Sequence, residues 1–130
     1  MKIITKNSDY AVRAICKLAK ERDFISTRNL AETTAIPLPY LRRILGTLAQ
    51  ARIIETKEGI EGGIKLRKNP SEITLTEIIK LFQGGLQISE CLFRKKLCPN
   101  RTTCILRKKL IKTEKMLSKE FEKITISSLT

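Results

Sequence analysis

Three of the four cysteines fall within one short segment, and their spacing is the feature best suited to chemistry. Cys91, Cys98 and Cys104 are separated by six and five residues, whereas Cys16 stands far away in the chain. This is neither a zinc knuckle nor a thioredoxin motif, since both need two cysteines two residues apart. Proline follows Cys98 directly, as is common in iron–sulfur loops. The segment is therefore a candidate site for a metal or cluster bound by thiolates.

The charge around these cysteines favours thiolate ligands. Between residues 91 and 112 the chain carries eight basic residues and no acidic one, and such a field stabilises the anionic sulfur. The same charge would also serve affinity for DNA. Spacing alone leaves three interpretations open: a three-thiolate metal or cluster site with one coordination position unfilled, a thiol/disulfide switch, and inert cysteines. Cys16 lies on the apolar side of a predicted helix, which favours core packing for it.

The composition excludes most enzyme classes. The 130 residues include no histidine, which removes every mechanism that needs an imidazole base or a histidine metal ligand. No nucleophile and base pair is visible in the sequence either, so we expect no enzymatic activity. The length is that of one domain, and a hydrophobic fraction of 42% is enough for a packed core.

The net charge predicts a polyanionic partner. Lys and Arg number 26 against 13 Asp and Glu, which gives +13 and a pI near 9.9. Aromatic residues make up only 5% of the chain, too few for the stacking platforms of single-strand binders. No apolar run approaches the ~20 residues of a membrane span. We therefore expect a cytoplasmic protein with reduced cysteines that binds double-stranded DNA, with no membrane partner and no small-molecule substrate.

The first half of the sequence has the pattern of a helix-turn-helix followed by a hairpin. Apolar spacing predicts helices over about residues 8–20, 27–35 and 37–50, with Asn7 or Ser8 as the N-cap of the first. Two short strands are predicted over 52–56 and 63–67, joined by a loop punctuated by glycine. A hairpin directly after a helix-turn-helix is a wing. The predicted fold is mainly α with a small β-hairpin, a winged helix-turn-helix.

The second half predicts two further helices. One runs over 75–82 with Thr74 as its cap, and a longer one begins near Cys104 with a continuous apolar stripe. The stripe exceeds what one small core needs, which favours pairing with a second chain over packing on its own domain. The predicted organisation is a DNA-binding domain over 1–83, a cysteine-containing cluster loop over 84–103, and a dimerisation helix and tail over 104–130.

The outer face of the third predicted helix carries the residues that would read DNA. Arginine contacts guanine edges in a bidentate manner and also neutralises phosphates. Glu58 and Glu61, near the wing tip, should repel the phosphate backbone, so we assign the wing contact to lysines and to the glycine backbone. The predicted DNA-binding residues are Arg28, Pro39, Tyr40, Arg42, Arg43, Thr47, Lys57, Gly62, Gly63 and Lys65.

Several short motifs lie along the chain in this order: Asp9–Ala14, Ile36–Pro37, Tyr40–Leu41, Ile44–Leu45, Leu48, Gly62–Gly63, Glu72–Leu75, Ile78–Ile79 and the three spaced cysteines. Together they resemble the IscR/NsrR-type iron–sulfur winged-helix regulators over nearly the whole chain. The resemblance implies a homodimer that crosses its C-terminal helices, binds a palindromic operator and mostly represses transcription. It also implies an iron–sulfur cluster on the three clustered cysteines that senses nitric oxide, redox state or iron–sulfur status.

The fourth ligand distinguishes two groups within this resemblance. IscR-like members place a histidine three residues after the third cysteine and hold a two-iron cluster, but Arg107 stands there and cannot ligate. Nitric-oxide-sensing members use an aspartate from the partner subunit on a four-iron cluster, and Asp9 occupies that place. A four-iron cluster is therefore favoured, with Asp9 as its fourth ligand or as a helix N-terminal charge. The alternative function is a cluster-free thiol/disulfide-switch regulator of the same fold.

Overall fold

The chain folds as five helices and one two-stranded antiparallel hairpin in a computed structural model, which describes residues 3–86, 88 and 103–130. Cys91 and Cys98 lie outside the described residues. The elements are α1 (Lys6–Ala19), α2 (Thr27–Thr34), α3 (Leu38–Gln50), β1 (Ile54–Lys57), β2 (Gly63–Leu66), α4 (Leu75–Gln83) and α5 (Ile105–Glu122), with short 3-10 turns at Pro70–Glu72 and Ser127–Leu129. The predicted winged helix-turn-helix is confirmed.

The helix-turn-helix forms because both helices have clear start signals and an apolar side. Ser26 caps α2 by accepting a hydrogen bond from the Asn29 N–H at 3.0 Å. Ala35 ends α2 in the left-handed conformation, and Pro37 directly precedes α3. Each large aliphatic side chain of α3 that is buried in the core contributes about 1.5–3 kcal/mol. These side chains are Leu41, Ile44, Leu45 and Leu48.

The wing is a hairpin that is pinned to the chain ahead of α2. β1 and β2 pair from Ile54 opposite Leu66 to Lys57 opposite Gly63. Ile25 and Ile64 exchange two backbone hydrogen bonds of 3.0 and 2.7 Å, which adds a third strand-like contact. The strand β2 is thus hydrogen-bonded both to β1 and to Ile25, and the loop between the two strands projects into solvent.

Gly63 lies where the wing approaches the backbone of Ile25 closely, so substitution there should destabilise the fold. Its φ is +146°, and a Cβ at this position would lie 2.1 Å from the Ile25 carbonyl oxygen. We expect Gly63→Ala to lower the free energy of unfolding by about 2 kcal/mol or more, since both strain and a backbone clash arise.

Gly46 provides the matched control because it lies in the middle of α3 and nothing surrounds its would-be Cβ within 4 Å. Gly46→Ala should raise stability by about 0.5–1 kcal/mol through helix propensity. Urea titrations of both variants measure the difference. Equal stability of the two variants would contradict the tight approach at Gly63.

The N-terminus of α1 differs from the sequence prediction. Thr5, not Asn7 or Ser8, caps the helix, and its hydroxyl oxygen accepts a hydrogen bond from the Ser8 N–H at 3.3 Å. The Ser8 hydroxyl is buried and donates to Gln83 Oε1 at 2.8 Å. Predicting either residue as the cap was wrong because a residue 75 positions away in sequence binds the Ser8 hydroxyl.

The apolar stripe of α5 divides into two parts with different surroundings. Near its C-terminal end, Leu117, Phe121 and Ile124 pack on a second small core formed by Leu75 and Ile79 of α4 together with Leu86. Other apolar side chains of α5 are largely exposed: Ile105 at 70%, Leu106 at 65% and Met116 at 61%. These exposed side chains are available to a partner chain.

The chain end after α5 returns to the DNA-binding domain. Ile126 is fully buried in the main core, and its N–H donates to the Ile73 carbonyl at 2.9 Å. The Leu75 N–H likewise donates to the Ile124 carbonyl at 2.9 Å. The terminal segment therefore completes the core of the winged helix, and α5 is attached rigidly beside α4.

Candidate DNA-binding surface and cysteine site

Most of the predicted reading residues lie on the outer face of α3. Pro39, Tyr40, Arg42 and Arg43 are exposed, opposite the buried stripe of the same helix. Thr47 is half-buried, and its hydroxyl donates to the Arg43 carbonyl at 3.2 Å. The helix therefore presents two guanidinium groups and a phenol ring to solvent, where a DNA groove can reach them.

A second group of side chains extends this face onto α1, and we name it the tyrosine–cation cluster: Lys6, Tyr10, Arg13, Tyr40 and Arg43. The two rings meet edge to face with centroids 6.1 Å apart. Lys6 Nζ lies 5.5 Å from the Tyr10 ring and 5.1 Å from the Tyr40 ring. Arg13 lies 5.3 Å from Tyr10, and Arg43 lies 5.1 Å from Tyr40. Each cation–π contact holds the cation near the ring. A side chain held in this way loses less conformational entropy on binding than a free side chain.

Sequence reasoning missed the α1 members of this cluster. Lys6, Tyr10 and Arg13 follow a spacing of four and three residues, which places them on one face of a helix. The spacing alone could have indicated this shared face, but it does not identify the other element that the face contacts. Among the described residues, the ion pair of Arg13 with Asp9 at 2.7 Å is the one carboxylate contact in the cluster. Lys6 and Arg43 therefore have no carboxylate partner among the described residues and are available to DNA.

The two strands of the wing contribute a second cationic site. Lys57 and Lys65, from the two facing strands, lie 5.7 and 5.8 Å from the ring of Phe24. No acidic side chain in the described part of the chain forms an ion pair with either lysine. The predicted lysines thus converge on one aromatic ring, a contact that the sequence did not reveal.

Gly62 and Gly63, predicted to contact DNA, are both required by the backbone conformation of the wing. A Cβ on Gly62 would lie 2.1 Å from the Lys57 carbonyl oxygen, so the turn at the tip requires glycine there. Gly63 closes the hairpin against Ile25, as described above. Arg28 is exposed at the second residue of α2, which packs against α3. The structure thus gives the two glycines a conformational role and leaves Arg28 exposed on α2.

Cys104 is the one clustered cysteine within the described residues, and it caps α5. Its half-buried sulfur accepts a hydrogen bond from the Arg107 N–H at 3.4 Å. The N-terminus of a helix carries partial positive charge, which stabilises an anionic sulfur. Arg107 follows on the first turn, and its buried Nε has no hydrogen-bond partner in the described part of the chain. A thiolate in this cationic setting fits the donor chemistry of an iron–sulfur cluster.

Cys16 has a different environment. It is half-buried on α1 and packs against the main core. Burial raises the pKa of its thiol above the usual value, and the positive charge of Lys20 offsets part of this effect. The thiol is therefore protonated at neutral pH, which agrees with the packing role predicted for it. The described residues contain no group of three or more potential metal-ligating side chains, so the structure does not bring Cys16 or Asp9 into such a group with Cys104.

Asp9 lies in the first turn of α1, where a carboxylate interacts favourably with the helix dipole. Its Oδ2 accepts from the Arg13 guanidinium at 2.7 Å, and both side chains are half exposed. Ligation of a cluster would require Asp9 to exchange this ion pair for iron.

Within the described part of the chain, no helix is both long and apolar enough to cross a membrane.

The chain is similar in sequence to HTH-type transcriptional regulators, in agreement with the candidate DNA-binding surface. The chain is 37% identical over 89 residues to a Synechocystis sp. protein named as an HTH-type transcriptional regulator, covering 67% of this chain and 60% of that protein. It is 31% identical over 107 residues to the HTH-type transcriptional regulator NsrR of Bacillus subtilis, covering 80% of this chain and 73% of that protein.

The solved structure of T. potens IscR superposes with a TM-score of 0.79 at 21% identity, over 99% of this chain and 85% of that one, which shows the shared fold. The profile of the Rrf2 family, described as iron-dependent transcriptional regulator, matches residues 4–130. The chain, a DNA-binding transcriptional regulator and not an enzyme, therefore belongs to the Rrf2 family.

Proposed function

We propose that this chain is a cytoplasmic homodimeric repressor that binds a palindromic operator and holds an iron–sulfur cluster, most simply a four-iron one, at Cys91, Cys98 and Cys104. Loss or change of the cluster, caused by nitric oxide, redox state or iron–sulfur status, alters the affinity for the operator. The observation that carries the DNA-binding part is the tyrosine–cation cluster beside the exposed face of α3.

The tyrosine–cation cluster suits a phosphate backbone that borders a major groove. Lys6 and Arg43 hold their charges over the Tyr40 ring at 5.1 Å each, next to the outward face of α3. A lysine fixed in this way neutralises a phosphate, and an arginine on the outward face of α3 can reach a base edge. The net charge of +13 adds attraction over a longer range. Binding should therefore weaken steeply as salt concentration rises.

Dimerisation follows from the exposed part of the α5 stripe. Ile105, Leu106 and Met116 expose well over half of their surfaces, and a second copy of α5 would bury them. A twofold arrangement places the two α3 helices on successive major grooves when they stand about 34 Å apart. A palindromic operator matches that symmetry.

The cluster requires thiolate donors, and the cysteine segment supplies them. When bound, such a cluster supplies a centre that reacts with oxidants and with nitric oxide. Cys104 would hold it from the start of α5, where the helix N-terminus and Arg107 favour negative charge. The chain thus supplies both the cysteine ligands and α5, the helix that would respond to a change in the cluster.

Gln83 links the start of the cysteine segment to the DNA-binding face. It ends α4, and its Oε1 accepts from the Thr5 N–H at 3.0 Å and from the Ser8 hydroxyl at 2.8 Å. Its Nε2 donates to the Ile3 carbonyl at 2.9 Å. These contacts hold the first turn of α1, which carries Lys6 of the tyrosine–cation cluster. A rearrangement after residue 85 can therefore change the placement of cations at the DNA.

The test is to purify the protein without oxygen, record its absorption, and assay iron and acid-labile sulfide. With no tryptophan and two tyrosines the chain absorbs little itself, so a cluster band would be clear. We expect near-stoichiometric iron and sulfide, and a change in DNA affinity once the cluster is removed. A colourless protein that accepts no cluster on reconstitution would instead support thiol switching.

Asp9→Asn tests the fourth ligand. If Asp9 ligates, the substitution should shift the cluster spectrum and change its rate of reaction with nitric oxide, because a carboxylate oxygen leaves the iron. Stability should change by less than about 0.5 kcal/mol, since the ion pair with Arg13 is half exposed. Glu21→Gln is the matched control, because Glu21, just after the end of α1, also forms an ion pair four residues away in sequence, with Lys17 of that helix at 3.2 Å. An Asp9→Asn spectrum identical to that of the control would exclude ligation.

A further inference from the structure

The tip of the wing carries an isoleucine whose side chain is exposed to solvent. Ile60 is fully exposed in the five-residue loop that joins β1 to β2. The loop is a tight turn in which the Gly62 N–H donates to the Gly59 carbonyl at 3.1 Å, and Gly59 has a φ of +106°. The turn fixes Ile60 at the outermost point of the wing and keeps its side chain away from the core.

The wing beneath this tip is held firmly relative to α3. The Ile53 N–H donates to the Leu48 carbonyl at 3.0 Å, which ties the end of α3 to the start of the hairpin. On the other side, Ile64 exchanges backbone hydrogen bonds with Ile25. The wing therefore presents its tip at a set distance from the outward face of α3.

The strands and the tip loop of the wing carry opposite charges. Lys57 and Lys65 lie on the two strands, with Lys57 at the end of β1 next to the loop, whereas the exposed Glu58 and Glu61 lie in the loop itself. Neither glutamate forms an ion pair within the described ranges. The outermost surface is thus one aliphatic side chain between two carboxylates, on a chain of net charge +13.

We propose that Ile60 is a specificity-determining residue that enters the minor groove as an apolar wedge, while Glu58 and Glu61 reject narrow minor grooves. This inference rests on the DNA-binding function proposed above. Minor-groove proteins insert aliphatic side chains between base steps, and pyrimidine–purine steps such as TA and CA open most easily. A-tracts have a narrow groove of enhanced negative potential that attracts basic side chains. Two carboxylates there would be repelled, so this wing selects flexible steps and avoids A-tracts.

The test selects binding sites from a pool of random-sequence duplexes. The wild-type protein should enrich a half-site flanked, where the wing lies, by a TA or CA step and depleted of A-tracts. Ile60→Ala should enrich the same half-site without the flexible step. The double variant Glu58→Gln, Glu61→Gln should keep the step and lose the depletion of A-tracts. On the enriched site, replacing the step by AA should weaken wild-type binding about tenfold, within the usual cost of one altered position.

Ile60→Arg is the converse variant, and it should gain enrichment of A-tracts because arginine is drawn into narrow grooves. All these positions are exposed, so folding should be unaffected, and a thermal melt checks this. An identical flanking preference in wild type and Ile60→Ala, or wild-type enrichment of A-tracts, would overturn the wedge. Enrichment of no site by the wild type would overturn the proposed DNA-binding function itself, and the wedge with it.

Discussion

If the chain holds the proposed iron–sulfur cluster, replacing Cys104 by serine is expected to abolish it while leaving the fold intact. The cysteine sulfur accepts the Arg107 N–H at the start of α5, and a serine hydroxyl makes the same capping hydrogen bond. Serine does not replace a thiolate as an iron ligand under neutral conditions, since its hydroxyl is not ionised there. Iron, sulfide and the visible absorption band should fall to background in protein purified without oxygen. DNA affinity should match that of wild-type protein stripped of its cluster.

Two further variants separate ligation from capping and from cysteine loss in general. Cys104→Ala removes both the ligand and the cap, so it should cost about 1 kcal/mol of stability in addition to the cluster. Cys16→Ser removes a thiol that packs on the core and should leave iron and sulfide unchanged. Retention of a full cluster by Cys104→Ser would remove Cys104 from the ligand set. Circular dichroism would check that the helical content of each variant persists.

Arg43 should be the residue of α3 whose loss most reduces operator discrimination. It lies on the outward face, and its guanidinium is held 5.1 Å from the Tyr40 ring, so it meets a base edge with little loss of side-chain entropy. A bidentate contact to guanine is worth about 1–3 kcal/mol of discrimination against the wrong base. Arg43→Ala should therefore weaken operator binding about 5- to 150-fold and random DNA far less, as competition titrations would show.

Arg43→Lys is the matched control because it keeps the charge and removes the planar fork. It should lose discrimination nearly as fully as Arg43→Ala while recovering part of the affinity for random DNA. Lys6→Ala gives the opposite signature, an equal loss on all sequences, since Lys6 is placed to neutralise phosphate. Full recovery of operator binding in Arg43→Lys would show that Arg43 contacts only phosphate.

The helices, the hairpin and their order were predictable from sequence because each has a local cause. The apolar side of α3 follows helical spacing, and the cap by Thr74 is confirmed by its hydrogen bond with the Glu77 N–H at 3.1 Å. Glycine at positions 62 and 63 marked a turn that has no room for a side chain. Strand ends shifted by one or two residues, since pairing and not propensity determines where a ladder stops.

Contacts between distant segments were not predictable. The α1 cap depends on how Gln83 meets Ser8, and the division of the α5 stripe depends on which part of that helix lies beside α4. The burial of Ile126 arises from backbone pairing with Ile73 near the end of the chain. A hydrophobic pattern states that a face must be covered, but it does not identify what covers it.

The winged-helix fold, the basic charge and the spacing of the three cysteines could be inferred from the sequence alone, because periodicity, composition and ligand type are properties of the chain. Packing in three dimensions was needed to show that Lys6 and Arg43, from different helices, converge on Tyr40. It was likewise needed to show that the sulfur of Cys104 caps α5 and that Ile60 alone forms the apex of the wing. These placements depend on how helices and strands pack in space, since packing brings together side chains that no local pattern relates.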